Sequence, residues 1–549
     1  MTSAENSNNE TTEPPGSISN VSALLSSFKH ANVMDGSSDE SRHLSTAFQR
    51  LKEKTLERKP VLSEIIRERG SKTLYEYAQG YADVNVNPLL LKRQGEFINT
   101  LKQEIKKRFG DQVAETAAEQ LAQKYFVFTH AHHGPLNSRD VINAYLLMAS
   151  LNMNGHEPSH IDHLIVLSCA NISLNNVEFP RGLLAHSWGG DRTVTHRLSF
   201  LPSTAHASPV YNFRSYTPAD VQKIKSSIMK KVHSGEILRA QAVTLDAVLD
   251  EIYSTSSALA ADRFTDQVSI TNEMLWQKIC AHYPGRQLPS LLYLEQEWIV
   301  ARLLINHHLY ADTTITHMLF DPTYNELIKK YFDDIYGAFS LSQKTGTFFF
   351  WALPQGSKYR LQLWKDGRYL STQDGSYRVA LNPDALRNAL ERRELMPNLH
   401  LTFMVLALYY GIKCLGGYSQ VNYLTFMKQA YIKLQADRGN FKSVEIATRS
   451  QTKEWAGYTL AFLGFPNHTI SPATGLDLIL YGNGNMWSRL KELSEHINLA
   501  EALNPILPEC YKYSYKETER DPELLKITEN DVTKATHLDQ IISPCAMVG

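Results

Sequence analysis

The sequence predicts an α/β protein built on a parallel core sheet, and three observations point there. Two apolar runs, YFVFT at 125–129 and HLIVLSC at 163–169, flank the helical pattern VINAYLLMASL at 141–151; strand, helix and strand in that order are the signature of a βαβ unit. Aromatic-rich runs return at 345–381, where Asp366-Gly367 and Asp374-Gly375 are strong turn dipeptides, so this stretch reads as a small antiparallel meander. The residues between the two stretches carry helical patterns and few strand signals.

Taken in order, residues 1–43 combine low hydrophobicity with many Ser, Asn and Glu, and too little apolar surface to offset ordering predicts a disordered tail. Residues 44–124 read as a helical lead-in, because Phe97, Leu101, Ile105 and Phe109 recur every four residues among Lys, Arg and Glu and so line one helix face. The core's first half is expected at 125–216. A helical insertion follows over 217–340, opened by the Thr217-Pro218-Ala219-Asp220 start signal and including LPSLLYLEQEWIVARLLINHHLY at 288–310 as helix. The core's second half, with a C-terminal helical segment, occupies 341–549.

Composition narrows the function classes. With 56 Lys and Arg against 57 Asp and Glu, the chain has no overall basic surface to draw nucleic acid or an anionic membrane, so neither is expected as a partner. The longest uncharged apolar run, LTFMVLALYYGI at 401–412, is too short to span a bilayer. The five cysteines, at 169, 280, 414, 510 and 545, form no CxxC pair, which argues against a cysteine zinc site and for a reducing cytoplasm. No secretory signal is expected. The partner is therefore a small-molecule substrate, and self-association as a homodimer is left open.

The turn THAHHGPLN at 129–137 places His130, His132 and His133 where the first strand should give way to its helix, at the edge where ligands bind in parallel sheets. On extended backbone His130 and His132 share a face and His133 points away. A metal half-site is one reading, with His156, His160 and His163 as further ligands, but Pro158 breaks their helical alignment and no metal is assigned. Turn-capping histidines and direct proton transfer are the others. After the second strand, ANISLNNVEFPRG offers Asn175, Asn176 and Arg181; the planar guanidinium of Arg181 suits a carboxylate or phosphate. Gly416-Gly417, followed by Ser419, Gln420, Asn422 and Tyr423, allows close backbone approach to a ligand and leads into a helix whose first amides can take an anion. Glu295 and Glu297, two apart on an expected helix, should diverge.

Two of these stretches, 127–151 and 381–431, resemble the cysteine-adding enzymes of bacillithiol synthesis: the first in a strand, a turn ending in Gly134-Pro135-Leu136 and a helix, the second in Asn382-Pro383 through Arg387 to Gly416-Gly417 and a Tyr-containing helix. The family's turn carries Gln where this chain carries histidines. The resemblance implies a Rossmann-like core with a connecting insertion, and a site made of His132, His133, Gly134, Arg387, Gly416, Gly417, Gln420 and Tyr423. It implies an enzyme that joins an amine-bearing small molecule, an amino acid being one candidate, to a second substrate. His132 or His133 would be general base, Arg181 or Arg387 would hold an anionic group, and the glycine turn would accept a nucleotide or acyl moiety. The competing expectations are a metal-dependent hydrolase or lyase using the histidines, and a non-catalytic ligand-binding protein.

Overall fold

The structure is a computed structural model that describes residues 39–84, 87–153, 160–189, 192–205, 207–283, 285 and 288–548. The segment read as a disordered tail lies outside these residues up to 38, and a helix, Asp39–Arg58, begins within its expected boundary. His156, Glu157, Pro158 and His206 also lie outside the described residues.

The fold is mixed α/β around a four-stranded parallel sheet. Its strands are β1 (Phe126–Phe128), β2 (His163–Ser168), β3 (Ser290–Glu295) and β4 (Lys413–Leu415), in the spatial order β4-β1-β2-β3. Phe128 sits between Leu415 on one side and Val166 on the other. The expected βαβ unit is present, with α1 (Val141–Asn152) linking β1 to β2.

Period-two alternation decides what each strand buries. Phe126, Phe128, Leu164, Val166, Leu291, Tyr293 and Leu415 face a core shared with α1, which is buried all round, and with α2 (Phe264–Cys280). The intervening residues Val127, Ile165, Leu167, Leu292, Leu294 and Cys414 face a second core. That core is closed by Phe97, Leu101 and Ile105 of the Leu91–Phe109 helix, and by α3 (Gln296–Leu303) and α4 (Gln420–Asp437). Strands covered on both faces read as continuous apolar runs, which is why they are short and almost free of charge.

Two parts of the sequence reading need correction. SLLYLE at 290–295, expected as helix inside the insertion, is β3, paired residue for residue with β2 from His163–Ser290 to Ser168–Glu295. A short apolar run buried on both faces has no helical or strand period of its own, so periodicity could not separate the two states. Residues 182–199, unread beyond their histidines, form an antiparallel pair, Gly182–Gly189 with Arg192–Ser199. Elsewhere local chemistry acts as read. Thr217 and Asp220 cap the Pro218–His233 helix reciprocally, and the strands 364–366, 369–371 and 378–380 form an antiparallel meander with positive φ at Gly367 and Gly375. No helix among the described residues is long and apolar enough to cross a membrane.

Candidate active site

All four strands run the same way, so their carboxyl ends share one edge, and every loop leaving it carries polar side chains. The chain passes from β1 to β2 and β3 on one side, then returns to place β4 on the other side of β1. Connections therefore diverge between β1 and β4, the arrangement that opens a ligand crevice in parallel sheets. The two distant turns meet there. Thr129 amide donates to Leu415 carbonyl at 2.9 Å, Gln420 Nε2 donates to Thr129 Oγ1 at 2.6 Å, and a Cβ on Gly417 would stand 3.7 Å from His130 Cβ, an ordinary contact. Gly416 continues β4 by pairing with Trp455.

The three histidines have three different environments. His130 donates from Nε2 to Val141 carbonyl at 3.2 Å, while its Nδ1 is buried without a hydrogen-bond partner among the described residues; burial lowers its pKa. His133 is fully buried. Its Nε2 faces Thr265 carbonyl at 2.9 Å, which only accepts, so Nε2 carries a proton, and Nδ1 lies 2.7 Å from Ser168 Oγ, which also contacts Leu294 carbonyl at 3.0 Å. Burial pushes its pKa down to about 4. With both nitrogens committed to protein, His133 has no lone pair for a substrate and holds the turn against β2 and α2. It does not fit the general-base role expected of it.

His132 is the open one. Its side chain is 34% exposed, and Nδ1 lies 2.8 Å from Glu178 Oε1, in an ion-pair contact too oblique for a full hydrogen bond. Burial opposes its charge, but Glu178, with Asp140 and Glu297 behind it, outweighs that effect and raises the pKa. Backbone ties fix the residue itself: it pairs with Cys169 of the next loop, and its carbonyl accepts from Tyr293 Oη at 2.6 Å.

Gly134 lets the turn pack on the loop that carries Glu178. A Cβ there would come within 2.8 Å of Pro180 Cα, so Gly134→Ala is expected to displace 178–182, costing about 1–3 kcal/mol by overpacking and lowering the His132 pKa. Thermal unfolding together with NMR titration of that imidazole checks both; an unchanged titration would separate Gly134 from the pair. Arg181, in the same loop, lies with its guanidinium 5.3 Å from the Phe179 ring, and its buried Nε has no partner among the described residues. Asn176 Oδ1 accepts from Glu178 amide at 3.1 Å and shapes the loop, while Asn175 is exposed beside a small cavity. Tyr423, on α4, packs with Tyr336 and Phe403 at ring distances of 5.6 and 5.7 Å.

Arg387 does not join them. It lies on the outer face of the Pro383–Glu391 helix, half exposed, in an ion pair with Glu391 one turn on. Arg393, six residues later, reaches the sheet edge instead: Nη1 donates to both oxygens of Glu295 at 2.7 and 3.0 Å and to Tyr211 carbonyl at 2.8 Å. Glu297 was also missed. Buried at the start of α3, it accepts from the amides of Ala170 and Asn171 at 2.9 and 3.2 Å and lies 3.2 Å from Cys169 Sγ. Reading 290–295 as helix sent Glu295 outward; as the last residue of a buried strand it turns into the site, and Glu297 follows on the first turn of α3.

Among the described residues, which leave out His156, the metal half-site does not assemble. His163 begins β2, at the sheet edge opposite His130 and His132, and bonds to Thr116 and Ser290; six strand residues separate its end from theirs by about 17 Å. His160 contacts Asp162 on the surface. Among the described residues no group of three or more His, Cys, Asp and Glu side chains is placed to hold a metal ion. No protein-family model matches this chain, and no curated protein is significantly similar to it.

Proposed function

We propose that this chain is a C–N bond-forming, ligase-like enzyme with a Rossmann-like core, which joins an amine-bearing small molecule to a second small substrate. The observation that carries the proposal is the His132–Glu178 pair at the carboxyl edge of β1, beside the crevice between β1 and β4. A carboxylate 2.8 Å from Nδ1 favours the tautomer with its proton on Nδ1, which leaves the Nε2 lone pair to take a proton from an attacking ammonium. The raised pKa makes the imidazole a stronger base.

The second substrate is assigned to the crevice between β1 and β4. Gly417 leaves room for close approach, and the first amides of α4, an 18-residue helix, suit an anionic group such as a nucleotide phosphate or an acyl carboxylate. Arg181, with no ion pair among the described residues, supplies a nearby cation. A nucleotide would bring an activated phosphoryl group; what these residues contribute is binding, orientation and proton removal. Five free thiols agree with a cytoplasmic setting.

The test is condensation of a panel of amines and amino acids with acyl, carbonyl and phosphorylated acceptors, with and without nucleotide, read by mass spectrometry. His132→Gln is expected to lower kcat by about 10²–10⁴ with little change in KM. Glu178→Gln should move the acidic limb of the pH–rate profile to lower pH, because removing the carboxylate lowers the His132 pKa and keeps the base free in more acid solution. Wild-type turnover by His132→Gln would overturn the proposal; saturable ligand binding without any turnover would favour a binding protein.

A further inference from the structure

A second site lies along the loop that leaves β2. A cavity of about 350 Å³ opens there, within the range of small-molecule sites. Ile172 and Pro209 give it apolar walls, and Ser173, Asn175, Tyr359 and Arg360 line the rest.

Arg360 is held in a way that leaves its binding edge free. Its guanidinium stacks 4.4 Å from the Trp351 ring, and Nη1 donates to Asn171 carbonyl at 2.6 Å and to Asn171 Oδ1. All of its protein hydrogen bonds among the described residues use that one nitrogen. Nε and Nη2, the two parallel donors of the side-on fork, are unspent on this exposed side chain, and Arg360 forms no ion pair with a described carboxylate. The nearest acid that acts on it, Glu297, already accepts from Ala170 and Asn171 amides. A cation fixed by stacking and tethering, without a counter-ion, in a cavity whose other polar groups are a hydroxyl, an amide and a phenol, matches an oxyanion that accepts two parallel N–H bonds.

We propose that this cavity binds a small molecule through a carboxylate or phosphate group held on the Nε/Nη2 edge of Arg360, with Ser173 and Asn175 as further donors and the exposed Tyr359 ring covering the remainder. The proposal stands whether or not the His132–Glu178 pair turns over a substrate.

Calorimetric titration of the full chain with inorganic phosphate and, separately, succinate, at ionic strength held constant with sodium chloride, tests it. Saturable binding at one equivalent is expected. Phosphate alone would mark a phosphorylated ligand, succinate alone a carboxylate, and both the shared chemistry. Arg360→Ala should weaken binding by about 10- to 100-fold, the worth of charged hydrogen bonds, and Arg360→Lys by less, since it keeps the charge without the fork. Asn171→Ala removes only the Oδ1 acceptor and leaves the backbone carbonyl tether, so it should stay within about threefold of wild type, and His132→Gln should bind as wild type. No saturable binding of either anion, or wild-type affinity in Arg360→Ala, overturns the proposal.

Discussion

Arg393→Met is expected to destabilise the fold by about 3–5 kcal/mol, the usual cost of removing one partner from a buried ion pair. Arg393 and Glu295 are 4% and 2% exposed, so water cannot replace the lost guanidinium. The pair lies where β3 ends, two residues before Glu297, and ties strand β3 to the backbone of Tyr211. Burial pushes the Glu295 carboxyl up to about 7 even with Arg393 beside it; without that cation it rises further. A carboxyl whose folded pKa exceeds its unfolded value binds a proton more readily when folded, so its contribution is present at low pH and lost as pH rises. The penalty in Arg393→Met should therefore be larger at pH 8 than at pH 5. Arg393→Met with Glu295→Leu should recover most of the loss, because apolar replacements of a whole buried pair are often neutral. Urea unfolding at the two pH values reads these differences as shifts in midpoint at constant slope. A loss below about 1 kcal/mol at pH 8 would mean that water reaches Glu295 and that the pair is not a fixed support of the site.

What could be read in the sequence was what local chemistry determines. Thr217-Pro218-Ala219-Asp220 capped its helix, Asp366-Gly367 and Asp374-Gly375 turned their strands, and the β1–α1–β2 unit followed from apolar runs set around a helical pattern. That His130 and Gly417 adjoin was legible through the family resemblance, since nearly three hundred residues separate them and neither stretch alone indicates the other. The misses share one cause. β3 is an apolar run without period, and reading it as helix places its last residue, Glu295, and Glu297 in the first turn of α3 on diverging faces. Arg393 was hidden for the same reason, because its partner is the last residue of that strand. The differing fates of the three clustered histidines depended on Glu178, Ser168 and Thr265, residues far off in sequence that give a lone imidazole its role.

Acid should unfold this protein earlier than its carboxylates alone would, and His400→Phe should delay it. His133, His308 and His400 are at most 1% exposed, and burial lowers their pKa values to about 4, 3 and 3. His400 is the purest case: neither ring nitrogen has a partner among the described residues, and its ring packs 4.0 Å from that of Phe332 and 5.5 Å from that of Phe349. A histidine whose folded pKa lies below its unfolded value of about 6.5 is neutral in the native state while the unfolded chain takes up a proton. The unfolded state then binds more protons, so stability is fully present above about pH 6.5 and falls as pH drops toward the folded pKa. By pH 5 each such histidine costs about 2 kcal/mol relative to pH 7, and three cost about 6, comparable to the whole stability of many domains. Phenylalanine fills the same space without a proton to gain. At pH 7 the His400→Phe protein should match wild type within about 1 kcal/mol, having lost no hydrogen bond, while at pH 5 it should be the more stable by about 2 kcal/mol. Urea midpoints taken between pH 7 and 5 decide the matter, because carboxylate contributions are common to both proteins and cancel. Parallel stability curves would show that His400 is already charged, or hydrated, in the folded state.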